Sequence, residues 1–332
     1  MPRETVGDTR HPVSERADDG PQTRKSGAGG GIHWFGNKDL PVLLYRVNRR
    51  PPAGGQLTLF KQPRDVFAHF RLVLRYRPVA ETGRGTKHVW RIGNRRVFNR
   101  DRVLVGRIGW TRSDEVQSTV FNEKVSSWID TTETRNVTAV APFVFDASSR
   151  FLGVLKHPTF TEPQIAAVFT RMLNEGESHR TMPTTDWAVE PIGDEQDFLA
   201  WIAETDAIDS VDFVFRRPNP DGSAEFEELF GRMSEMKARE IREEIKAADE
   251  TGLSKQALVS DGTSVAFRAA AAVGFGYLLA RGHRTNRRVS YDQRSNVARE
   301  TVVAAPDNWS GVTREVRLAV LRGIERLGRP RP

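Results

Sequence analysis

The hydrophobic positions of this chain follow a helical period in some segments and a strand period in others. From Arg64 to Tyr76 the apolar residues recur at spacings of three and four, which predicts a helix, with an aromatic strand as the alternative. The segment Pro41–Arg46 is a short apolar run before a loop rich in proline and glycine, which predicts a strand. This strand and this helix are the first structured elements that we expect along the chain.

Two further segments predict β-hairpins. Between His88 and Arg112, short apolar runs are interrupted at Gly93 and Asn94 and again at Asn99–Asp101, which indicates a hairpin or a three-stranded meander. The runs at 136–146 and 150–157 are separated by a short polar segment around Ser148, which indicates a second hairpin.

The middle of the chain alternates between predicted helices and strands. Thr161 is a candidate N-cap for the first helix. The predicted elements are, in order, a helix at Glu162–Asn174, a strand at Asp186–Ile192, a helix at Glu195–Ala203, a strand at Ser210–Arg217 and a long charged helix at Ala224–Ala248. This alternation indicates a layered body, for which a ferredoxin-like section is one arrangement.

The last part of the chain predicts a β-rich stretch at Ala266–Ala304 and an amphipathic helix at Thr313–Leu327, with Val316 and Val320 on its apolar face. We therefore expect an α+β fold with a mixed, mostly antiparallel sheet and helices packed on one face. Composition and pattern divide the chain into a disordered tail at 1–38, a basic β-rich region at 39–157, an acidic α/β region at 158–262 and a basic region at 263–332 with a hairpin and a C-terminal helix. Residues 39–328 can also form one compact unit.

Composition excludes several classes of protein. The chain contains no cysteine, which excludes disulfides, thiolate nucleophiles and cysteine-ligated metal centres. No apolar run reaches the roughly 18–20 residues that span a bilayer, and the first residues lack the apolar core of a secretory signal. We expect a cytoplasmic protein without a membrane partner, and no motif calls for a cofactor or a metal ion.

Charge is distributed unevenly along the chain. The net charge is +7, and arginine supplies 41 of the 50 basic residues. Residues 41–112 carry 17 basic and three acidic groups, residues 113–262 carry 14 and 29, and residues 263–332 carry 13 and five. This asymmetry indicates a basic face that meets nucleic acid. The alternative is that the basic segments pair with the acidic segment inside the fold.

Two basic hairpins are the candidate nucleic-acid contacts. Arginines at turns can reach phosphates, and aromatic side chains on strands can stack on bases. The predicted contact residues are Arg91, Arg95, Arg96, Arg100 and Arg102 in the first hairpin, with Trp90 and Phe98 between them, and Arg281, His283, Arg284, Arg287, Arg288, Tyr291 and Arg294 in the second.

One pattern has the outline of a restriction-type nuclease site. Pro220 and Asp221 are followed by Glu235-Met-Lys237, and in such sites two acids hold Mg²⁺ while the lysine supports the attacking water. The chemistry requires the Glu-x-Lys on a strand, where residues two apart share a face. Because this pair and a second one, Glu244-Ile-Lys246, fall within the predicted long helix, we interpret them as solvated surface charges.

Other local motifs have structural interpretations. Gly27–Gly31 is not followed by Gly-Lys-Ser/Thr and is interpreted as a linker. Gly274–Gly282 lacks the helix and third glycine of a dinucleotide fingerprint, and its glycines are predicted to allow a bulge or the close approach of a strand. His69 lies in an apolar pattern and is interpreted as a packed residue.

A resemblance to known proteins rests on the order of five segments. They are Gly106–Trp110, Ala141–Asp146, Phe213–Asp221, the charged helix at Ala224–Ala248 and Ala272–Gly282. In this order the chain resembles uncharacterised bacterial proteins of about the same size that are encoded beside phage-defence and mobile-element genes. The resemblance covers roughly residues 40–305 and implies a genomic context without an active site.

These observations lead to one principal hypothesis and two alternatives. The first is a nucleic-acid-binding, non-catalytic component of a bacterial defence or mobile-element system, which contacts DNA or RNA. The second is a protein–protein adaptor or immunity-like subunit, whose acidic helix at 224–248 can dock a partner. The third is a divergent metal-dependent enzyme with a site built from Asp and Glu residues in 186–261.

Overall fold

The computed structural model describes residues 40–50, 65–83, 87–122, 127–181, 185–216, 226–302 and 308–327 of the chain, and the side chains at 114–136 and 228 are not among what it describes. The predicted disordered tail at 1–38, the linker Gly27–Gly31 and the Pro220-Asp221 pair lie outside these residues.

The described part of the chain forms helices and strands in an interleaved order. The helices are α1 (Val66–Arg75), α2 (Glu162–Ser178), α3 (Glu195–Glu204), α4 (Glu227–Glu235), α5 (Lys255–Ser260), α6 (Gly262–Ala272) and α7 (Trp309–Leu327). The strands are β1 (Leu40–Arg50), β2 (Ala80–Thr82), β3 (His88–Phe98), β4 (Val103–Asn122), β5 (Ser127–Asp146), β6 (Phe151–Leu155), β7 (Asp186–Pro191), β8 (Ala207–Arg216), β9 (Glu240–Lys246), β10 (Gly276–Arg284), β11 (Arg287–Asp292) and β12 (Arg299–Val302).

The strands form two antiparallel sheets. The large sheet has the order β12-β1-β6-β5-β4-β3-β2, with β7 paired to β1 on the same side as β12. The small sheet has the order β11-β10-β8-β9. Every pairing between described strands is antiparallel. The α+β class with a mostly antiparallel arrangement, expected from the sequence, is therefore confirmed.

Helix α1 forms where the apolar period predicts it. The Asp65 carboxylate accepts hydrogen bonds from the backbone N–H groups of Phe67 and Ala68, at 2.8 and 3.3 Å, and so caps the first turn. The helix buries Phe70 and Val73 completely, because apolar side chains three and four positions apart lie on one face.

Helices cover both faces of the large sheet, whereas the sequence predicted helices on one face. Leu152 and Val154 of β6 belong to the core beneath α1 and α2. Gly153, between them, points to the opposite face, where a Cβ atom would lie 2.1 Å from Cγ2 of Val320 in α7. The C-terminal helix therefore approaches the sheet closely on the face away from α1 and α2.

A buried ion network joins the two sheets. Glu190 of β7, only 6% exposed, accepts from Arg50 of β1 at 2.5 Å and from Arg216 of β8 at 2.9 Å. Arg216 also reaches Glu240 of β9 at 2.6 Å. The middle region at 158–262 thus gives β7 to the large sheet and β8 and β9 to the small one, so it is not a self-contained ferredoxin-like section.

The predicted long helix at Ala224–Ala248 is wrong. Helix α4 ends at Glu235, the chain turns at Lys237 with a positive φ of 52°, and 240–246 form strand β9 beside β8. Exposure alternates with period two along Glu240–Lys246, and Ile241 is buried against the small-sheet core. The charges of this segment also fit helical spacings, which is why the pattern was ambiguous.

This correction changes the interpretation of one Glu-x-Lys pair. Glu244 and Lys246 lie on one face of β9, with 3.0 Å between carboxylate and ammonium. They are on a strand, so they do not point in different directions as they would on a helix. Within the described residues, no three His, Asp or Glu side chains are grouped so that they could share a metal ion. Residues Ala266–Ala272, predicted as part of a β-rich stretch, instead belong to α6.

Candidate nucleic-acid interface

The first basic hairpin consists of β3 and β4, which turn at residues 99–102. The expected break at Gly93 and Asn94 is not a turn: β3 continues through it with a shift of register before Arg96, and Asn94 has a φ of 49°. Beyond this bulge Arg96 pairs with Val105 and Phe98 with Val103. The strand alternation thus places Arg96 and Phe98 on one face of the hairpin.

A cavity of about 480 Å³ lies between this hairpin and the first half of α7. The hairpin contributes Asn94, Arg95, Arg96, Phe98, Val105, Gly106 and Arg107, and α7 contributes Trp309, Ser310, Thr313, Arg314 and Arg317. Five of these twelve residues are arginines, and none of the described lining residues is acidic. We call this feature the arginine cavity.

Aromatic rings hold two of the arginines in place. The guanidinium carbon of Arg107 lies 4.1 Å from the ring centroid of Trp309, and that of Arg317 lies 5.2 Å from the ring centroid of Phe98. Arg317 also forms an ion pair with Asp101 in the hairpin turn, at 2.6 Å. These contacts fasten α7 to the hairpin and order the wall of the cavity.

The cavity is electropositive. Burial and the neighbouring charge of Arg96 lower the pKa of Arg107, and burial and the charge of Arg77 lower the pKa of Arg95. Within the part of the chain that the structure describes, Arg96 and Arg107 have no carboxylate within ion-pair distance. Cations that repel one another in a partly dry site gain stabilisation from a bound anion.

The predicted residues of the first hairpin divide between the cavity and its surroundings. Arg95 and Arg96 line the cavity, although Arg95 also donates to the backbone oxygen of Leu74 at 2.5 Å. Arg91 donates to Thr111, and Arg100 is exposed at the turn. Arg102 forms an ion pair with Asp65 at 2.6 Å. This hairpin thus keeps most of its positive charge at the surface.

The second predicted hairpin is real, and its positive charge is neutralised only in part. It consists of β10 and β11, and three of its basic side chains contact nearby acids: His283 contacts Asp209 at 3.2 Å, Arg284 contacts Glu204 at 2.9 Å, and Arg294 contacts Asp292 at 2.8 Å. Arg281, Arg287 and Arg288 remain exposed. Pairing with the acidic segment at 113–262 therefore accounts for Arg284 and for the contact of His283. Arg294 pairs within its own segment, and three arginines stay at the surface.

Tyr291, predicted to stack on a base, lies instead in the core. It is 5% exposed and packs against Phe198 and Trp201, and burial raises the pKa of its hydroxyl. The alternation of β11 turns this ring inward, and a buried ring offers no face to a ligand.

The two predicted hairpins belong to different sheets. The small sheet meets the large one beside β1 and β7, and β3 lies four strand spacings from β1, or about 19 Å along the sheet. Helix α7, and not the second hairpin, packs against the first hairpin. Four lining residues were not predicted from the sequence: Arg107, Trp309, Arg314 and Arg317. The available signal was that Trp309, Thr313 and Arg317 recur every four residues beside the apolar face of the helix.

None of the helices in the described ranges combines the length and apolar composition needed to cross a membrane.

A comparison with the curated proteins finds no match for this chain. Residues 75–320 match the family described as a domain of unknown function, DUF4747, and because this match spans most of the chain, the protein belongs to that family.

Proposed function

We propose that this protein binds nucleic acid through the arginine cavity, as a non-catalytic component of a bacterial defence or mobile-element system. The observation that supports binding is the pair Arg96 and Arg107, two cations without a carboxylate partner in the described residues, set beside exposed aromatic surface. The cellular context rests on the resemblance in segment order alone.

A polyanion fits this surface better than a small anion does. Arg91 and Arg100 lie on the same hairpin outside the cavity and are exposed, so positive charge continues along β3. A nucleic-acid backbone can contact all of these groups, whereas a single phosphate fills only the cavity. Each arginine–phosphate contact releases condensed counterions and makes the affinity fall with salt.

The test is a salt titration of binding to a labelled oligonucleotide, measured by fluorescence anisotropy. Replacing Arg96 and Arg107 by glutamine should weaken binding and reduce the slope of log K against log salt by about 1.4 for a single strand. The matched control is the double variant Arg287→Gln, Arg288→Gln, which removes the same charge from the exposed tip of the β10–β11 hairpin.

The outcomes separate the two surfaces. The proposal requires the cavity variant to lose affinity and the hairpin control to stay close to the wild type. Loss of affinity only in the hairpin control would assign the contact to β10–β11 and refute the cavity as the binding site. Binding that is weak and insensitive to salt in the wild type would refute nucleic-acid binding altogether.

A second candidate function, a protein–protein adaptor, is favoured by a long β-ribbon. The pairing of β4 with β5 continues to Asn122 and Ser127, while β3 stops opposite Thr111. The ribbon thus extends about 11 residues, or roughly 36 Å, past the neighbouring strand. Residues 113–136 carry five acidic and two basic groups. A two-stranded ribbon is marginally stable alone, so a basic partner protein would stabilise it.

Shortening the ribbon tests this candidate. Replacing residues 114–135 by Asn-Gly keeps the sheet and the cavity and should abolish co-purification of the proteins encoded by neighbouring genes. Co-purification that is equal for the shortened and the full chain would exclude the ribbon as the docking element.

A further inference from the structure

We infer that the arginine cavity receives one unpaired nucleotide, so that the protein prefers single-stranded nucleic acid to a duplex. This inference rests on the proposed function and specifies the form of its ligand. It follows from the shape of the cavity and from the aromatic side chains in its walls.

The shape of the site favours a single strand. The cavity is concave, and its volume of about 480 Å³ lies in the range of pockets that enclose small organic ligands, about 300–1,000 Å³. A duplex is convex and keeps its bases stacked inside, so it can offer only phosphates to the rim. An unpaired nucleotide can place both a base and a phosphate inside.

The walls provide partners for both parts of a nucleotide. Phe98 is 40% exposed, an unusual position for a large aromatic ring, and Arg107 is stacked against Trp309. Bases stack on aromatic rings and on guanidinium planes without regard to sequence. Arg96 and the first turn of α7, represented by Ser310, are suited to the phosphate, because a helix N-terminus carries partial positive charge.

The site therefore separates the two interactions onto different residues. Arg317, whose guanidinium lies 5.2 Å from the centroid of the Phe98 ring, is also held by its ion pair with Asp101, so its charge stays in place when the ring is removed. Phe98 contributes stacking, which only an unpaired base can use, and Arg96 contributes charge, which single strands and duplexes both use. Truncating the ring should change the preference between the two ligands, whereas removing the charge should weaken both.

The experiment compares the full chain with three variants against a labelled 20-nucleotide DNA strand, the same sequence as a duplex, and the corresponding RNA strand. Anisotropy at constant salt gives each affinity. Phe98→Ala and Phe98→Leu both remove the π-face, and the second keeps the apolar volume. The matched control is Val97→Ala, at the adjacent position on the other face of β3 and 36% exposed.

For the wild type we expect tighter binding of single strands than of the duplex. Both Phe98 variants should weaken single-strand binding by about 5- to 150-fold, leave duplex binding close to the wild type, and differ from Val97→Ala, which should change neither.

Equal wild-type affinity for strand and duplex, with both sensitive to Arg96 and Arg107 but not to Phe98, would overturn this inference and leave the proposed function standing. Absence of salt-dependent binding to every ligand would overturn both. Phe98 variants that bind single strands as tightly as the wild type would also overturn the inference.

Discussion

The guanidinium carbon of Arg107 lies 4.1 Å from the centroid of the Trp309 ring, although the two residues are about 200 positions apart in the chain. Arg107 belongs to the first basic segment and Trp309 begins the helix of the last one. Their contact is one of the places where the two acid-poor segments meet, and it forms one wall of the arginine cavity. Several consequences of this architecture can be measured.

Replacing Trp309 by alanine should lower affinity for an oligonucleotide. The ring holds the Arg107 guanidinium in the cavity, and an interaction of this kind at a partly exposed site contributes about 0.5–1 kcal/mol, or roughly a 2- to 5-fold change in affinity. Trp309→Phe should retain most of the binding, because phenylalanine also presents a ring face. Anisotropy at low salt measures both, and equal loss in the two variants would contradict a stacking role.

Gly153→Ala should destabilise the protein by about 1–3 kcal/mol, because the new Cβ would lie 2.1 Å from Cγ2 of Val320 and α7 would have to move. Denaturant unfolding measures the change. Gly231→Ala is the control: a Cβ there meets nothing within 4 Å, and alanine favours the helix by about 0.5–1 kcal/mol. Adding Val320→Ala to Gly153→Ala should recover part of the lost unfolding free energy. No recovery would show that the clash with Val320 is not the cause of the destabilisation.

Removing the Glu177 carboxylate should strongly destabilise the folded protein. The side chain is buried at 2% exposure, lies 2.7 Å from Nε2 of His69 and accepts from Arg180 at 2.5 Å. Glu177→Ala leaves these groups without their anion, which typically costs about 3–5 kcal/mol. Glu175→Ala, two residues earlier in the same helix and half exposed beside His179, should lower the free energy of unfolding by about 1 kcal/mol or less, as measured by urea unfolding of both variants. Similar costs for the two variants would contradict this account.

Asp65 should contribute stability that depends on pH. Burial raises the pKa of its carboxyl, but hydrogen bonds from Arg102, Ala68 and Phe67 and the charge of Arg102 outweigh this and hold the pKa below its ordinary value. Because the folded-state pKa lies below the unfolded value of about 3.9, the contribution is complete above that pH and is lost as the pH falls through the folded-state pKa.

The free energy of unfolding of Asp65→Ala should therefore be about 1 kcal/mol lower than that of the wild type at pH 7. This difference in unfolding free energy should shrink below about pH 4. Asp65→Asn keeps a capping side chain without the charge, so it should lose less at pH 7. Urea unfolding at several pH values gives both differences. A difference for Asp65→Ala that is constant from pH 7 to pH 3 would refute the carboxylate as its source.

Local pattern predicted many of the elements correctly. The period of the apolar residues located α1 within two residues at its start, and the separation of the runs at 136–146 and 150–157 located the turn between β5 and β6. Pattern failed for β9, because seven residues dense in charge satisfy helical and strand periods together. There the choice depended on whether Ile241 would find the apolar core beside β8, which is a property of the fold.

The candidate site was predicted only in part, because whether a charged side chain is paired or exposed depends on its neighbours in space. Arg95 and Arg96 were identified from the hairpin sequence and do line the cavity. Arg284 looks equally basic in the sequence, yet it pairs with Glu204, which lies 80 positions earlier. Tyr291 looks like a surface aromatic and is buried.

The sequence by itself determined the types of most elements, the absence of cysteine chemistry and the concentration of arginine in two acid-poor segments. Only the tertiary structure decided which of those arginines are neutralised and which surround a cavity. The physical reason is range: helical and strand periods arise between residues a few positions apart, whereas ion pairing and burial depend on side chains that the fold brings together from distant segments.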